Sequence, residues 1–318
     1  INASPYDQNK NNLRKELVVN QARKLGVPII YLNMVGGQDE LVFDGGSFVI
    51  NGEGEILYQA QQFEEELFYI DLDLEVKEHP KQSNLEIRQK SFELEPLQSA
   101  LPLSKNESLY AALKLGLFDY VSKNNFEKVL VGLSGGIDSA LTATIAVDAL
   151  GSNNVIGVAL PSKYNTEESL VDAKSLAKNL DIEFKVIEIE EMVNIFRNTL
   201  SESVNEELGQ TTDENIQSRV RGNILMALSN QTGAMVVSTG NKSEMAVGYS
   251  TLYGDLAGGF ALLKDLYKTE VYNLANFRNS ISSVIPQNTI DKEPSAELRP
   301  DQFDKDSLPE YELLDEIL

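Results

Sequence analysis

The chain has 318 residues, 42% of them hydrophobic and 24% charged, with no cysteine and a formal net charge of −22 at pH 7. This composition is typical of a globular protein, and since no run of 18 apolar residues occurs, we expect no membrane span. The charge argues against a nucleic-acid or anionic-membrane partner. The lack of cysteine excludes disulfides, thiolate metal sites and a cysteine nucleophile within these residues.

Residues 1–74 are predicted to form one unit. Their apolar runs and glycine-containing turns predict, in chain order, a helix, two strands and a hairpin turn: residues 13–25, 27–35, 41–50 and 51–54. The hairpin signal is the sequence Asn51-Gly-Glu-Gly54, which supplies residues that tolerate left-handed backbone angles.

Residues 75–104 are charged, contain proline and show no sustained period, so we interpret them as a linker. The single histidine, His79, lies in this stretch beside a proline, and we expect it to be solvated rather than catalytic. The chain starts at Ile1 and stops inside a helical pattern over residues 311–318, so we expect both ends to be truncated.

From residue 105 onward the pattern alternates between helix and strand, which predicts an α/β domain over residues 105–318. The expected helices are residues 109–123, 138–150, 166–180 and 212–230, and the expected strands are residues 129–133, 155–160, 184–189 and 234–238. Such alternation favours a parallel sheet with helices on both faces. Ligands bind beyond the carboxyl ends of these strands, so residues 134–139 and 239–244 should meet at one edge.

The most informative segment is Ser134-Gly-Gly-Ile-Asp-Ser139, called here the phosphate loop, between a predicted strand and a predicted helix. Glycines let backbone N–H groups approach a phosphate, and a helix N-terminus adds positive potential. No lysine follows the glycines, so this is not the Walker pattern. An ordinary strand–turn–helix corner is the alternative, but all six positions together favour nucleotide binding.

The phosphate loop resembles the signature of the ATP pyrophosphatase family, which transfers AMP to a substrate oxygen and releases pyrophosphate. Four further stretches resemble NAD⁺ synthetases: residues 130–150 with 157–162, 214–228, 238–255 and 292–302. Near the start, Asn2-Ala-Ser-Pro-Tyr6 and residues 36–47 resemble the C-terminal half of a nitrilase-type glutaminase. Together these stretches are similar to the glutamine-dependent NAD⁺ synthetase family.

This resemblance implies a Rossmann-like parallel sheet with flanking helices, of the adenine nucleotide α-hydrolase-like type, preceded by part of an α/β nitrilase-like sandwich. It implies ATP-dependent amidation of deamido-NAD⁺ to NAD⁺ through an adenylated intermediate, in a cytoplasmic homo-oligomer. The family's glutaminase takes nitrogen from glutamine with a cysteine nucleophile placed upstream of Ile1. We therefore expect this chain to use ammonia only.

The resemblance implies that ATP is bound by residues of both strand-end segments and of one helix. They are Gly132, Leu133, Ser134, Gly135, Gly136, Ile137, Asp138, Ser139, Thr239 and Arg221. Asp138 lies beside the phosphate loop and is expected to bind Mg²⁺. Glu244 is the second expected ligand, with an acid at a helix N-terminus as the alternative. Asp138 and Lys268 are the expected catalytic residues, and a surface lysine is the alternative for Lys268.

The deamido-NAD⁺ site is expected to contain six residues: Asn215, Arg219, Glu244, Asp255, Lys268 and Ser295. Asn215 and Arg219 share one helix face, whereas Arg221 points about 200° away from Arg219, so the two arginines are expected to serve different roles. Thr211 and Glu214 have the spacing of a capping box.

Ser4 and Lys10 align with glutamine-binding positions, although Asn9 replaces the family's usual glycine. Two alternatives to the ligase remain open from the sequence. One is a nucleotide-binding fragment without turnover, and the other is a different pyrophosphatase-loop amidotransferase such as a GMP synthetase.

Overall fold

The structure is a computed structural model that describes residues 1–72 and 97–318. Most of the predicted linker, including His79, therefore lies outside the described residues. The chain divides into two compact units, Ile1–Gly36 with Leu41–Ser108, and Gly37–Glu40 with Leu109–Leu318. Among the described residues, no helix is both long enough and apolar enough to cross a membrane.

The first unit begins with helix α1 (Lys10–Leu25) and continues through five short strands: β1 (Ile29–Tyr31), β2 (Val35–Gln38), β3 (Leu41–Asp44), β4 (Phe48–Ile50) and β5 (Ile56–Gln59). β4 pairs antiparallel with both β1 and β5, and β2 pairs with β3. The predicted hairpin at residues 51–54 is thus confirmed. Phe48 and Ile50 pack with Ala22 of α1, while Val49 packs with Tyr58, so both faces of β4 are buried.

Residues 41–50, predicted as one strand-like run that contains a turn signal at Gly45-Gly46, form two strands, β3 and β4. Between them Gly45 and Gly46 have φ of 58° and 60°, in the left-handed region. Left-handed backbone cannot continue a strand ladder, and glycine adopts it without steric cost. The strand predicted over residues 27–35 is likewise shortened, to β1.

The second unit contains most of α2 (Lys105–Lys123) and then alternates strand and helix. Its elements are β6 (Val129–Gly132), α3 (Ile137–Leu150), β7 (Val155–Ala159), α4 (Glu167–Asn179), β8 (Glu183–Val186), α5 (Glu190–Val204), α6 (Gln210–Thr232), β9 (Met235–Ser238), α7 (Lys242–Ala246), β10 (Phe260–Ala261), α8 (Lys268–Ile281), α9 (Gln287–Asp291) and α10 (Tyr311–Ile317). The strands form one sheet in the order β10-β9-β6-β7-β8, with every neighbouring pair parallel. The predicted parallel sheet is confirmed.

β6, β7 and β9 are apolar and buried along their length, as expected for strands covered on both faces. Leu130, Ile156 and Val236 pack against Val193 of α5 and Val220 of α6. Leu130 lies opposite Ile156 on one side and Val236 on the other, so the carboxyl ends of the three strands fall at the same edge. This register brings the segments that follow β6, β7 and β9 together.

The capping box predicted at Thr211 and Glu214 is wrong. α6 begins at Gln210, with Gly209 as its N-cap residue and no side-chain cap, so Thr211 already lies inside the helix. The 3.6-residue pattern located the helix, but the cap could not be read from Thr211 because the apolar period does not fix the first turn.

Candidate functional site

A cavity of about 530 Å³ lies at the carboxyl edge of the five-stranded sheet. Five segments line it: the phosphate loop after β6, the connection from β7 to α4 with the first turn of α4, one face of α6, residues 248–257, and residues 292–304. The ends of β9 and α8 close a further side. The cavity is therefore built from chain segments that are far apart in sequence and that only the parallel sheet brings into register.

The phosphate loop has the geometry of an anion cradle. Gly135 has a φ of 86°, and a Cβ at this position would lie 2.4 Å from the carbonyl oxygen of Ser169. The Ser134 and Ser139 hydroxyls lie 3.2 Å apart, and Ser134 Oγ accepts the N–H of Gly136 at 3.2 Å. α3 begins at Ile137 without a side-chain cap, so its first N–H groups remain available to an anion.

Three charged side chains, Asp138, Glu244 and Lys268, form an ion cluster at the floor of the cavity. Lys268 Nζ donates to Asp138 Oδ2 at 2.5 Å and to Glu244 Oε1 at 2.9 Å. The Lys268 side chain is only 3% exposed. Asn241, the N-cap residue of α7, donates to Asp138 Oδ1 at 2.8 Å and accepts the backbone N–H of Glu244 at 3.0 Å, which fixes the Asp138 carboxylate and the start of α7.

Burial sets the electrostatics of this ion cluster. Burial raises the pKa of Glu244 to about 7, although the Lys268 charge opposes that shift. Burial alone would lower the pKa of Lys268, but the neighbouring Asp138 and Glu244 carboxylates outweigh it and raise the pKa. Lys268 is therefore a permanent buried cation that any phosphate entering the cavity meets.

The donor set of the ion cluster fits a hard divalent cation. Two carboxylates and one ammonium leave a net negative charge, and each carboxylate can accept more bonds than the contacts described here supply. Mg²⁺ is commonly held by one or two carboxylates together with substrate phosphates. Among the described residues, no group of three or more acidic, histidine or cysteine side chains is placed to hold a metal ion.

The structure places two of the three predicted polar residues of α6 in the cavity. Asn215 lines it and accepts the Thr251 hydroxyl at 2.7 Å. Arg221 lines it and donates to the carbonyl of Leu160 and to Asn165 Oδ1, both at 3.0 Å. Burial lowers the pKa of Arg221 to about 10.

Arg219 does not line the cavity. Its side chain is exposed and donates to the carbonyl of Leu252 at 3.2 Å. The helical period separates Arg219 from Arg221, because residues two apart point to opposite sides of α6. Asn215, predicted to share the face of Arg219, lines the cavity without it. Arg219 therefore contacts the cavity only indirectly, through the segment that contains Leu252. Thr251 and Asp255 of that segment line the cavity.

The remaining predicted residues of the second unit lie around the same cavity. Thr239, Asp255 and Ser295 line it, as do all phosphate-loop residues except Gly135, whose backbone lies against Ser169 instead. Asp255 Oδ1 accepts the Ser218 hydroxyl at 3.0 Å, and Ser295 Oγ accepts the N–H of Glu297 at 3.1 Å.

The family of the chain is decided by comparison with known proteins. The NAD synthase family model matches residues 109–318, and the carbon-nitrogen hydrolase model matches residues 13–79. The chain belongs to the NAD synthase family. Its NAD synthase region coincides with the second unit, which carries the cavity.

Relatives of the NAD synthase family match the whole chain. It is 48% identical to the glutamine-dependent NAD(+) synthetase of Thermotoga maritima, covering 100% of this chain and 58% of that relative. It is 46% identical to that of Acinetobacter baylyi, covering 100% of this chain and 56% of the relative. The chain therefore spans little more than half the length of these relatives.

Solved structures show the same likeness. The glutamine-dependent NAD⁺ synthetase of Acinetobacter baumannii, in complex with ADP, matches with a TM-score of 0.81 and 41% identity, over 100% of this chain and 55% of that one. The NMN synthetase of Francisella tularensis matches with a TM-score of 0.61 and 31% identity, over 68% of this chain and 86% of that one.

Ser4 and Lys10, the predicted glutamine-binding residues, lie before the matched carbon-nitrogen hydrolase region and make contacts within the first unit. Ser4 Oγ accepts Arg14 Nε at 3.1 Å, and Lys10 Nζ donates to the carbonyl of Pro5 at 3.4 Å. Neither residue lines the cavity of about 610 Å³ in this unit. Their role in glutamine binding stays a prediction.

Sequence reasoning missed several polar residues of the NAD synthase site, chiefly Asn165, Ser169, Asn241 and Glu297. Asn241 carried a readable signal, because Asn241 and Glu244 have N-cap spacing immediately after a strand. The other three belong to a hydrogen-bonded cluster that joins residues more than 120 positions apart, which no local pattern reveals.

Proposed function

We propose that this chain carries an ATP-dependent carbon–nitrogen ligase that amidates deamido-NAD⁺ to NAD⁺ through an adenylated intermediate. In this proposal residues 105–318 form the synthetase domain, residues 1–74 the C-terminal portion of a nitrilase-like glutaminase domain, and residues 75–104 the linker. The observation that carries the proposal is the single cavity shared by the phosphate loop, the ion cluster and the polar face of α6. Family membership and the printed names of the relatives support it.

In the first step an oxygen of the nicotinate carboxylate attacks the α-phosphorus of ATP, and the bond to pyrophosphate breaks. Negative charge grows on the phosphate oxygens during this step. The N–H groups at the start of α3, Lys268 and Arg221 are positioned to stabilise that charge. The low exposure of Lys268 strengthens its effect, since water screens a buried charge poorly.

Asp138 and Glu244 would hold Mg²⁺, which when bound would neutralise phosphate charge. We propose that Thr239 and Arg221 bind ATP together with the residues from Gly132 to Ser139. We propose that deamido-NAD⁺ contacts Asn215, Glu244, Asp255, Lys268 and Ser295, with Arg219 acting from the rim.

In the second step ammonia attacks the carbonyl carbon of the adenylate, AMP leaves with the bonding electrons, and the nitrogen loses a proton to give the carboxamide. The relatives are named for their dependence on glutamine. These 318 residues contain no cysteine, so we propose that they take free ammonia rather than form a glutamyl thioester.

We propose that the chain works as a cytoplasmic homo-oligomer. Four apolar side chains on α5 are exposed, namely Ile195, Phe196, Leu200 and Val204, and Leu252 and Tyr253 beside Arg219 are exposed as well. A stripe of this kind on an amphipathic helix marks a protein–protein surface, and a second copy would cover it. Analytical ultracentrifugation of Phe196→Asp should then show a smaller particle than the unmodified chain.

Pyrophosphate release tests the proposed activity. The chain is mixed with Mg²⁺, ATP and ammonium, and with deamido-NAD⁺, deamido-NMN or XMP as acceptor. Release only with deamido-NAD⁺ supports the proposal, and release only with deamido-NMN or XMP assigns the site to a different acceptor. ATP binding without release for any acceptor would indicate a nucleotide-binding protein without turnover.

Replacing Arg219 separates the roles of the two arginines. We expect Arg219→Ala to weaken the binding of deamido-NAD⁺ about tenfold and the binding of ATP by much less. The reason is that Arg219 donates to the carbonyl of Leu252, next to the cavity wall. Arg221→Ala is the matched variant and should weaken ATP more. Isothermal titration with each ligand measures both affinities. An equal loss of both ligands in Arg219→Ala would show that Arg219 is only structural.

A further inference from the structure

Glu297 has an unusual backbone and an unusual environment. Its φ is 48°, in the left-handed region that residues other than glycine seldom adopt, and it is 9% exposed. Such a conformation in a non-glycine residue persists only when surrounding contacts fix it. Glu297 lies in residues 292–302, called here the late loop, which lines one side of the cavity.

The contacts that hold Glu297 come from two separate parts of the chain. Within the late loop, Lys292 Nζ donates to Glu297 Oε1 at 2.6 Å. From the start of α4, Ser169 Oγ donates to Oε1 at 2.6 Å, and from the β7–α4 connection Asn165 Nδ2 donates to Oε2 at 2.9 Å. Burial would raise the pKa of Glu297, but these donors hold it below its usual value, so the side chain is a carboxylate.

Asn165 and Ser169 both lie at the end of the cavity that is proposed to bind ATP. Asn165 Oδ1 accepts the Arg221 guanidinium at 3.0 Å. The backbone of Ser169 lies against Gly135, whose missing Cβ is what allows that approach. Asn165 thus links Glu297 to Arg221, and Ser169 links Glu297 to the phosphate loop.

Hydrogen bonds hold the part of the late loop that carries Glu297. Gln217, fully buried on α6, donates to the carbonyl of Leu298 at 2.9 Å. Gln302 accepts the N–H of Leu298 at 2.8 Å. Displacing Glu297 would therefore require the neighbouring turn of the late loop to move as well.

We propose that Glu297 is a positioning residue that couples the conformation of the late loop to ATP binding, by fixing Asn165 for Arg221 and Ser169 for the phosphate loop. This inference rests on the proposed function, since it assigns the Arg221 end of the cavity to ATP. Glu297 itself does not touch the nucleotide in this scheme. It acts through Asn165 and Ser169.

A double-mutant cycle tests the coupling. ATP affinity of the 318-residue chain is measured by isothermal titration for Glu297→Gln, Asn165→Ala and the double variant. Each single change is expected to weaken ATP binding about tenfold, and the double variant by clearly less than the hundredfold of two independent effects, because both changes remove the Asn165 link while only Glu297→Gln also affects Ser169. A hundredfold loss in the double variant, or an unchanged affinity in Glu297→Gln, would overturn the proposal.

Two further variants separate positioning from folding. Glu168→Gln removes an exposed carboxylate from the first turn of α4, next to the same connection, and should leave ATP affinity unchanged. Glu297→Gly accommodates φ of 48° without strain, so it should melt above Glu297→Ala yet bind ATP equally weakly. Restored ATP affinity in Glu297→Gly would show that the backbone, rather than the carboxylate, matters.

The outcomes also separate this inference from the proposed function. If the unmodified chain fails to bind ATP, the proposed function is wrong and the inference falls with it. If the unmodified chain binds ATP and releases pyrophosphate while all Glu297 variants match it, only the inference is wrong.

Discussion

Asp138→Asn is expected to lower the rate of pyrophosphate release by at least about 10²-fold, the usual loss when one preorganised electrostatic group is removed from a reaction centre. The amide keeps the shape of the carboxylate but cannot offer a charged oxygen to a metal ion. It also leaves the buried ammonium of Lys268 with Glu244 as its remaining carboxylate in the ion cluster. Single-turnover kinetics at saturating ATP and deamido-NAD⁺ measures the effect.

Asp181→Asn is the matched control for this prediction. Asp181 is exposed in the turn after α4, with a left-handed φ of 54° that asparagine tolerates as well as aspartate does. The same loss of charge should therefore leave the rate unchanged. If Asp138→Asn kept a near-normal rate with the same dependence on Mg²⁺ concentration, Asp138 would be neither a metal ligand nor catalytic.

Gly135→Ala is expected to reduce ATP affinity by at least about a hundredfold. An added Cβ would lie 2.4 Å from the carbonyl oxygen and 2.8 Å from the Cα of Ser169, so backbone rather than a flexible side chain would have to move. The phosphate loop would then be pushed away from Ser169 and lose the alignment of its N–H groups. Isothermal titration with ATP gives the affinity, and thermal denaturation gives the accompanying loss of stability.

Gly151→Ala isolates the steric part of this effect. Gly151 follows α3 with a φ of 84°, nearly that of Gly135, but a Cβ there would meet no atom within 4 Å. Both variants carry the cost of a left-handed alanine, about 1–3 kcal/mol. Only Gly135→Ala should also lose affinity for ATP. Equal ATP affinity in the two variants would mean that close packing of Gly135 on Ser169 is unimportant for binding.

The sequence predicted the fold of the second unit well because its strands are buried on both faces. Val129–Gly132 and Met235–Ser238 read as continuous apolar runs, and only strands fit runs so short between glycine or polar turns. α5 and α8 were missed, although α5 has a strong apolar stripe at helical spacing. Only Val193 of α5 is buried, so most of that stripe does not belong to the core.

The candidate site could be predicted where its chemistry is local. Ser134, Gly136 and Asp138 are close in sequence, and their roles follow from the turn between a strand and a helix. The distinction between Arg219 and Arg221 also follows from the helical period alone. The partners of Lys268 and Glu297 could not be predicted, because each contact depends on how distant segments meet at the sheet edge.

The bond from Lys268 to Asp138 joins residues 130 positions apart, and this separation has a consequence for folding. The complete site therefore exists only in the folded second unit, where the sheet brings both segments to one cavity. A nucleotide that needs the completed site binds the native state and not its precursors. ATP at a hundred times its dissociation constant would then add about 2.7 kcal/mol to the free energy of unfolding, and the melting temperature should climb with ATP concentration.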